Sequence, residues 1–308
     1  SMLIEGKRYF THHELRNKKP VHSGFEVEVI SMRIQFENVD LNSRSGPNGF
    51  GLKLARQFMR DGHELTNDRP DVRLSFIQSM NNFNPMVLRL DGIYFNSLQN
   101  WKAMNEPIRR SYDHASAVIV QSEFDKKLVF RFFGERENVH VIHNGTDTKL
   151  INSIQAQNFN RENTWMCASS WRPHKRLDEN IRLFQQLKKD GDSLLVAGSN
   201  ARVSEETNVE GVHFLGDLNW ESMISCMKAS ANFIHLSWLD HCPNVVVDAK
   251  AAGCRLHVSE AGGTAELASS SDLVYRDASF NFDPVELYNP PRMMLESNPG
   301  FGLSVINM

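Results

Sequence analysis

What the 308-residue chain has little of narrows its class first. Cysteine is sparse: Cys167, Cys226, Cys242 and Cys254 are scattered, with the spacing of neither a metal site nor a disulfide framework. Reduced, buried thiols are the expectation. No run approaches the ~18 apolar residues of a membrane-crossing helix, and the start of the sequence carries no apolar leader-like stretch. The expected location is cytoplasmic. Positive charge is not in excess: the formal net charge is -3, so the total lacks the basic footprint of a nucleic-acid binder, although a local basic cleft can hide inside it. Internal repeats and low-complexity tracts are missing as well.

What is present belongs to a globular chain. The hydrophobic fraction is 41% and the charged fraction 23%, enough to bury a sizeable core, and the length suits two domains. Short apolar runs alternate with helical patterns, the signature of parallel α/β architecture. In the first half, strands are expected at 34–39, 72–78, 86–90, 117–121 and 139–143, with helices at 47–61, 98–114 and 123–133. In the second half, strands are expected at 165–168, 193–197, 212–215, 232–236 and 255–258, with helices at 176–190, 219–229, 244–252 and 263–269.

The expected organisation is an N-terminal extension (1–31), a first Rossmann-like domain (32–150), a polar linker (151–163), a second Rossmann-like domain (164–280) and an irregular proline-bearing tail (281–308). Two such domains face a crevice, and ligands bind beyond the carboxyl ends of the strands. In the extension, His12 and His13 read as surface residues rather than metal ligands, because no third ligand is near in sequence.

Three loops carry the chemistry. In SRSGPNGFGLKLARQFMRDGHEL, the glycines Gly46, Gly49 and Gly51 sit where a strand turns into a helix. They suit either close approach of backbone to an anion or tight packing alone. In ASSWRPHKRLDENIRLF, Arg172, Lys175 and Arg176 cluster between a strand and a helix. Basic groups at the mouth of an α/β crevice fit a diphosphate, and a solvated charged turn is the plainer reading. In HLSWLDHCPNVVVDAKAAGCRLHVSEAGGTAEL, a helix opens at Pro243-Asn244 and another at Gly262-Gly263-Thr264. Two helix N-termini at one sheet edge favour phosphate, and the carboxylate of Asp248 can accept from two ribose hydroxyls.

The pieces SSWRPHKRLD, VIHNGTD, AVIVQSEFDKKLV, LRLDGIYF and CPNVVVDAKAAG with SEAGGTAEL, taken in order, resemble the retaining glycosyltransferases of family four. The resemblance runs from about Arg33 to Tyr275. It implies the GT-B architecture and transfer of a sugar from a nucleoside diphosphate with retention of configuration. A UDP-sugar is the favoured donor, and neither a metal nor another cofactor is expected. By position, Arg172 and Lys175 resemble the pair that holds the diphosphate, and Gly46 and Gly49 resemble the first-domain loop near the donor phosphates. Asn244, Gly262, Gly263 and Thr264 fall on the donor-side helix entries. Asp240 and Asp248 fall on the family's Glu-to-Glu motif, in which seven residues separate the two; the first contacts the sugar and the second the ribose.

Two departures stand out. Both motif positions are Asp here, one methylene short of the family pattern, which a hydrogen bond near 2.7–3.0 Å registers. Many relatives also place a histidine after a middle strand of the first domain, where this chain has LRLDGIYF, leaving Asp91 as the candidate contact to donor or acceptor, with a turn or cap role equally open. Asp190-Gly191-Asp192 formally resembles a metal-binding Asp-x-Asp, but its setting reads as a turn. A saccharide or glycoconjugate is the favoured acceptor. The alternatives are a modified DNA base, as in viral enzymes, and a nucleotide-sugar binder with impaired catalysis. The amphipathic EFDKKLVFRFF could touch a membrane surface, and packing on the first sheet is the favoured reading.

Overall fold

The computed structural model describes residues 31–42, 46–81 and 85–295, together with the strand segments 2–4, 7–9 and 305–306. His12 and His13 lie outside the described residues. Ser1–Ser31 and Met32–Met308 are separate compact units. The described part of the first is an antiparallel pair, β1 (Met2–Ile4) with β2 (Lys7–Tyr9).

The second unit holds two parallel sheets. The first contains β3 (Arg33–Glu37), β4 (Glu64–Leu65), β5 (Val72–Phe76), β6 (Met86–Arg89), β7 (Ala117–Val120) and β8 (Val139–Val141), in the order β4-β3-β5-β6-β7-β8. Its helices are α1 (Gly46–Arg60), α2 (Trp101–His114) and α3 (Glu123–Phe133). A short α4 (Thr148–Ser153) follows. The second sheet runs β11-β10-β9-β12-β13-β14-β15. It comprises β9 (Thr164–Ala168), β10 (Ser193–Ala197), β11 (Val212–Gly216), β12 (Asn232–His235), β13 (Arg255–Ser259), β14 (Leu273–Tyr275) and β15 (Val305–Ile306), of which only β15 is antiparallel to its neighbour. Its helices are α5 (Leu177–Leu187), α6 (Trp220–Lys228) and α7 (Asn244–Ala251). Every strand and helix anticipated within the described residues is present to within a few residues, except that 263–269 shortens to a 3-10 turn over Thr264–Leu267.

Parallel strands flanked by helices are apolar on both faces where helices cover both, as in the inner strands, where Val118, Val120, Met166, Cys167 and Val196 are all fully buried. The stretch read as a linker begins inside α4, whose Asp147 cap accepts from the Leu150 N–H at 3.0 Å and whose Ile151 enters the second core. In EFDKKLVFRFF, Phe124, Leu128, Val129 and Phe133 lie in the first core, so this helix packs on its sheet.

The tail has no helix over 281–295, yet it is firmly placed. Phe280, Phe282, Val285 and Leu287 pack on the first core, and Met293 and Leu295 enter the second lobe. Val285 pairs with the chain at Phe95 and Ser97 through bonds of 3.0 and 2.9 Å. All four cysteines are free and buried, and burial pushes the Cys242 thiol up to about 11. Among the described residues no helix is long and apolar enough to cross a membrane.

Candidate active site

Sheet order brings the sequence pieces together. β9 and β12 are neighbours, so the loops leaving their carboxyl ends, one carrying Arg172 and Lys175 and the other Asp240, meet at one edge. Lys175 Nζ donates to Asp240 Oδ2 at 2.5 Å, and His235 Nε2 lies 2.9 Å from the same oxygen. β13 flanks β12 on the other side, and its exit loop is fastened to the same residue. The Gly263 N–H donates to the Asp240 carbonyl at 2.7 Å, and Gly262 forms a bridge with Asp240. Only glycine fits there. Gly262 has φ +80, and a Cβ on Gly263 would stand 1.9 Å from the His241 carbonyl oxygen and 2.5 Å from Ser122 Oγ.

Burial alone would raise the Asp240 carboxyl, but Lys175 and His235 outweigh it and hold the group well below the usual carboxylate range. His235 is lowered in turn, because its burial dominates the pull of Asp240. The site therefore presents an ionised carboxylate, an ammonium and a neutral imidazole. An ammonium has three donors, so Lys175 retains capacity beyond its bond to Asp240. Arg172 lies exposed beside it.

Arg176 does not join this group. It occupies the left-handed region at φ 52, where the 3-10 turn Pro173–Lys175 passes into α5, and it is buried. Its guanidinium pairs with both Asp277 oxygens at 2.5 and 3.1 Å, donates to the Pro291 carbonyl at 2.6 Å, and lies 5.2 Å from the Trp238 ring centroid. Its role is to anchor the tail.

Asp248 sits inside α7 with its side chain 4% exposed. Trp220 Nε1 donates to Oδ2 at 2.8 Å, and Lys53 Nζ of α1 donates to Oδ1 at 3.0 Å. Asn244 opens α7 and Thr264 opens the 3-10 turn; Asn244 Oδ1 and Thr264 Oγ1 are buried without a hydrogen-bond partner among the described residues.

The glycine stretch of the first lobe falls at the expected strand-to-helix junction. The helix starts at Gly46, so Gly49 and Gly51 lie within it. Gly51 serves packing, since a Cβ there would come within 2.6 Å of Val39 Cγ2. The preceding residues 43–45 lie outside the described residues. Asp91 is part of a polar knot between the lobes: its Oδ1 accepts from Arg89 Nη1 and Gln121 Nε2, and Oδ2 is buried without a partner. Arg89 Nη2 also donates to Asn144 Oδ1 at 2.6 Å, and Asn144 Nδ2 donates to the Cys242 carbonyl at 2.8 Å. Burial raises the Asp91 carboxyl, and Asp125 adds to the rise against the pull of Arg89.

Sequence reading missed His241, which follows Asp240 and crosses to the first lobe. Its Nδ1 lies 3.2 Å from Asp125 Oδ1, and its ring fills the space that a Cβ on Gly92 would need. Burial lowers this imidazole, but Asp125 more than compensates and raises it. Asp192 accepts from Trp165 Nε1 at 3.1 Å and from Asn163 Nδ2 at 2.9 Å, and Gly191 has φ +87, so the Asp-x-Asp stretch is a structural turn. Among the described residues no group of three or more His, Cys, Asp or Glu side chains is placed to hold a metal ion.

A cavity of about 400 Å³ opens beside the diglycine loop. Phe124, Phe280 and Phe282 supply its apolar surface, and its charged lining is Glu123, Glu260, Glu266, Asp277 and one cation, Lys127.

Residues 148–275 match the model of a family described as glycosyl transferases group 1. With the paired parallel sheets, this defines the class: a glycosyltransferase of GT-B architecture. The fold is shared with Anabaena HepE in complex with UDP, at 15% identity, TM-score 0.58, and coverage of 84% of this chain and 88% of that one. It is shared as well with WaaG, a glycosyltransferase involved in lipopolysaccharide biosynthesis (13% identity, TM-score 0.59, 83% and 89% covered). AviGT4, a glycosyltransferase involved in avilamycin A biosynthesis, is similar at 11% identity, TM-score 0.57, with 83% and 86% covered. No curated protein matches the chain.

Proposed function

We propose that the chain moves a sugar from a nucleoside diphosphate, UDP first among the candidates, to a saccharide or glycoconjugate hydroxyl with retention of configuration and without a resident metal. The observation that carries this reading is the Lys175–Asp240 contact, with the diglycine loop bonded to the Asp240 backbone. It gathers a cation for a departing diphosphate, a carboxylate for sugar hydroxyls, and backbone turned toward one sheet edge. HepE in complex with UDP-glucose, a structure of the same fold, supports the choice of donor.

In this reading the sugar's C1–O bond breaks as the acceptor oxygen approaches C1 from the same face. The leaving diphosphate takes the acceptor proton and gathers negative charge, which Lys175 and Arg172 offset. Asp240, kept ionised, accepts from sugar hydroxyls. Asp248 receives the ribose, and Asp91 faces the acceptor side.

The neighbouring cavity favours a saccharide over a DNA base. Asp277 is paired with Arg176, and the rest of the cavity's charged lining is Glu123, Glu260 and Glu266 against Lys127, a setting that repels a phosphate backbone, whereas sugar hydroxyls donate to carboxylates and sugar rings lie against phenyl faces. The test is release of nucleotide from UDP-, GDP-, ADP- and CMP-linked sugars with a panel of saccharide acceptors, and product anomers read by NMR. An inverted product would overturn retention. Binding of a donor with no turnover on any acceptor would leave a nucleotide-sugar binder instead.

A further inference from the structure

Asp248 is the carboxylate assigned above to the donor's ribose, yet its side chain is 4% exposed. An ionised carboxylate has acceptor capacity for about four hydrogen bonds, and two are in use, so capacity does not bar a ribose; access does. Two groups bonded to Asp248 could clear the way. Trp220 belongs to the same lobe and packs against its core. Lys53 belongs to the other lobe, has a side chain 23% exposed, and ends in a flexible stem.

The position of Lys53 is built rather than incidental. Its ammonium donates to Asp248 Oδ1 at 3.0 Å and to Thr146 Oγ1 at 3.1 Å, and lies 5.4 Å from the Trp220 ring centroid. Two turns further along the same face of α1, Arg60 pairs with Asp147 at 2.9 Å, which fixes the helix against the segment carrying Thr146. The ammonium thus occupies the hydrogen-bonding position that a ribose hydroxyl would take.

We infer that Lys53 holds the place of the ribose: a ribonucleoside diphosphate must displace its ammonium from Asp248, so Lys53 sets affinity for the ribose-bearing part of the donor and not for its phosphates. This rests on the donor-site reading above. Once displaced, the ammonium can enter water, while the carboxylate exchanges one donor for another. Affinity falls by the fraction of molecules in which the position is filled.

The test is calorimetric titration of UDP, with ADP and GDP in parallel, and separately of inorganic diphosphate, into wild type, Lys53→Met and Lys53→Gln. Lys53→Gln keeps a neutral donor near Asp248 should the methionine variant fold poorly. The expected result is UDP binding about 2–5-fold tighter in Lys53→Met, the worth of one partly exposed ion pair, a smaller gain in Lys53→Gln, and unchanged binding of inorganic diphosphate. Equal or weaker UDP binding in both variants, with measurable binding by wild type, overturns the inference and leaves the donor site standing. A matching fall for inorganic diphosphate also overturns it, by assigning Lys53 to the phosphates. No nucleotide binding by any of the three proteins removes the donor-site reading and this inference with it.

Discussion

Glu266 of the second lobe caps a helix of the first: its carboxylate oxygens accept the backbone N–H groups of Glu123 at 2.8 Å and Phe124 at 2.9 Å. His143 Nε2 lies 3.0 Å from the same carboxylate. An anion at a helix N-terminus satisfies orphan donors and opposes the helix dipole. Glu266→Ala should therefore cost about 1–2 kcal/mol in urea unfolding, and Glu266→Gln less, because an acceptor remains. Equal stability of all three proteins would show that the cap carries no weight.

The diglycine loop gives a sharper expectation. With the His241 carbonyl oxygen 1.9 Å from the place of a Cβ on Gly263, Gly263→Ala must shift backbone rather than a flexible side chain. Destabilisation of about 1–3 kcal/mol, the range for overpacking, should accompany loss of donor binding. Wild-type behaviour in both respects would mean the loop is not held against Asp240 as described.

The buried pair of Arg176 and Asp277, each with a side chain 1% exposed, predicts a larger loss. Arg176→Met should destabilise by about 3–5 kcal/mol, because the Asp277 carboxylate is left uncompensated. Replacing both partners by apolar residues should recover part of that loss. Unfolding midpoints of the two variants decide it, and a double variant no better than the single one would argue against an uncompensated charge as the cause.

Two buried imidazoles should make the fold weaken as pH falls below neutral. Burial, reinforced at His174 by nearby Lys175 and at His257 by Arg255, pushes both imidazoles down to about 3. An unfolded imidazole titrates near 6.5. Between those values the unfolded chain binds protons that the folded chain excludes, so stability rises with pH across the window and is lost as pH falls. The urea midpoint should be lower at pH 5 than at pH 7.5, with a smaller difference in His257→Asn. Identical midpoints at the two pH values would contradict the neutral assignment.

Much of this fold is legible in the sequence because two-faced burial of parallel strands leaves short apolar runs, and MVLRL, AVIVQ and SLLVAG each show one. The meeting of Lys175 with Asp240 follows from strand exits on one sheet edge. Contacts between the lobes leave no such trace. Lys53 and Asp248 are 195 positions apart, and nothing in the local pattern of either names the other. Arg176 illustrates a second limit: beside Lys175 in a basic run it reads as one more phosphate ligand, while its left-handed backbone turns it inward to Asp277. The tail lacks periodicity, so its apolar residues at 282, 285 and 287 give no sign that they close over the first lobe.

The central claim is that Lys175 and Asp240 mark a nucleoside diphosphate site, and calorimetric titration of UDP, GDP and ADP into wild type and Lys175→Ala tests it most directly. Wild type should bind at least one of them, and Lys175→Ala should bind that nucleotide about 10–100-fold more weakly, as expected for a lost charge-assisted contact of roughly 1.5–3 kcal/mol. Transfer should fall with it. Equal affinity in both proteins, or no binding of any nucleotide by wild type, would contradict the account.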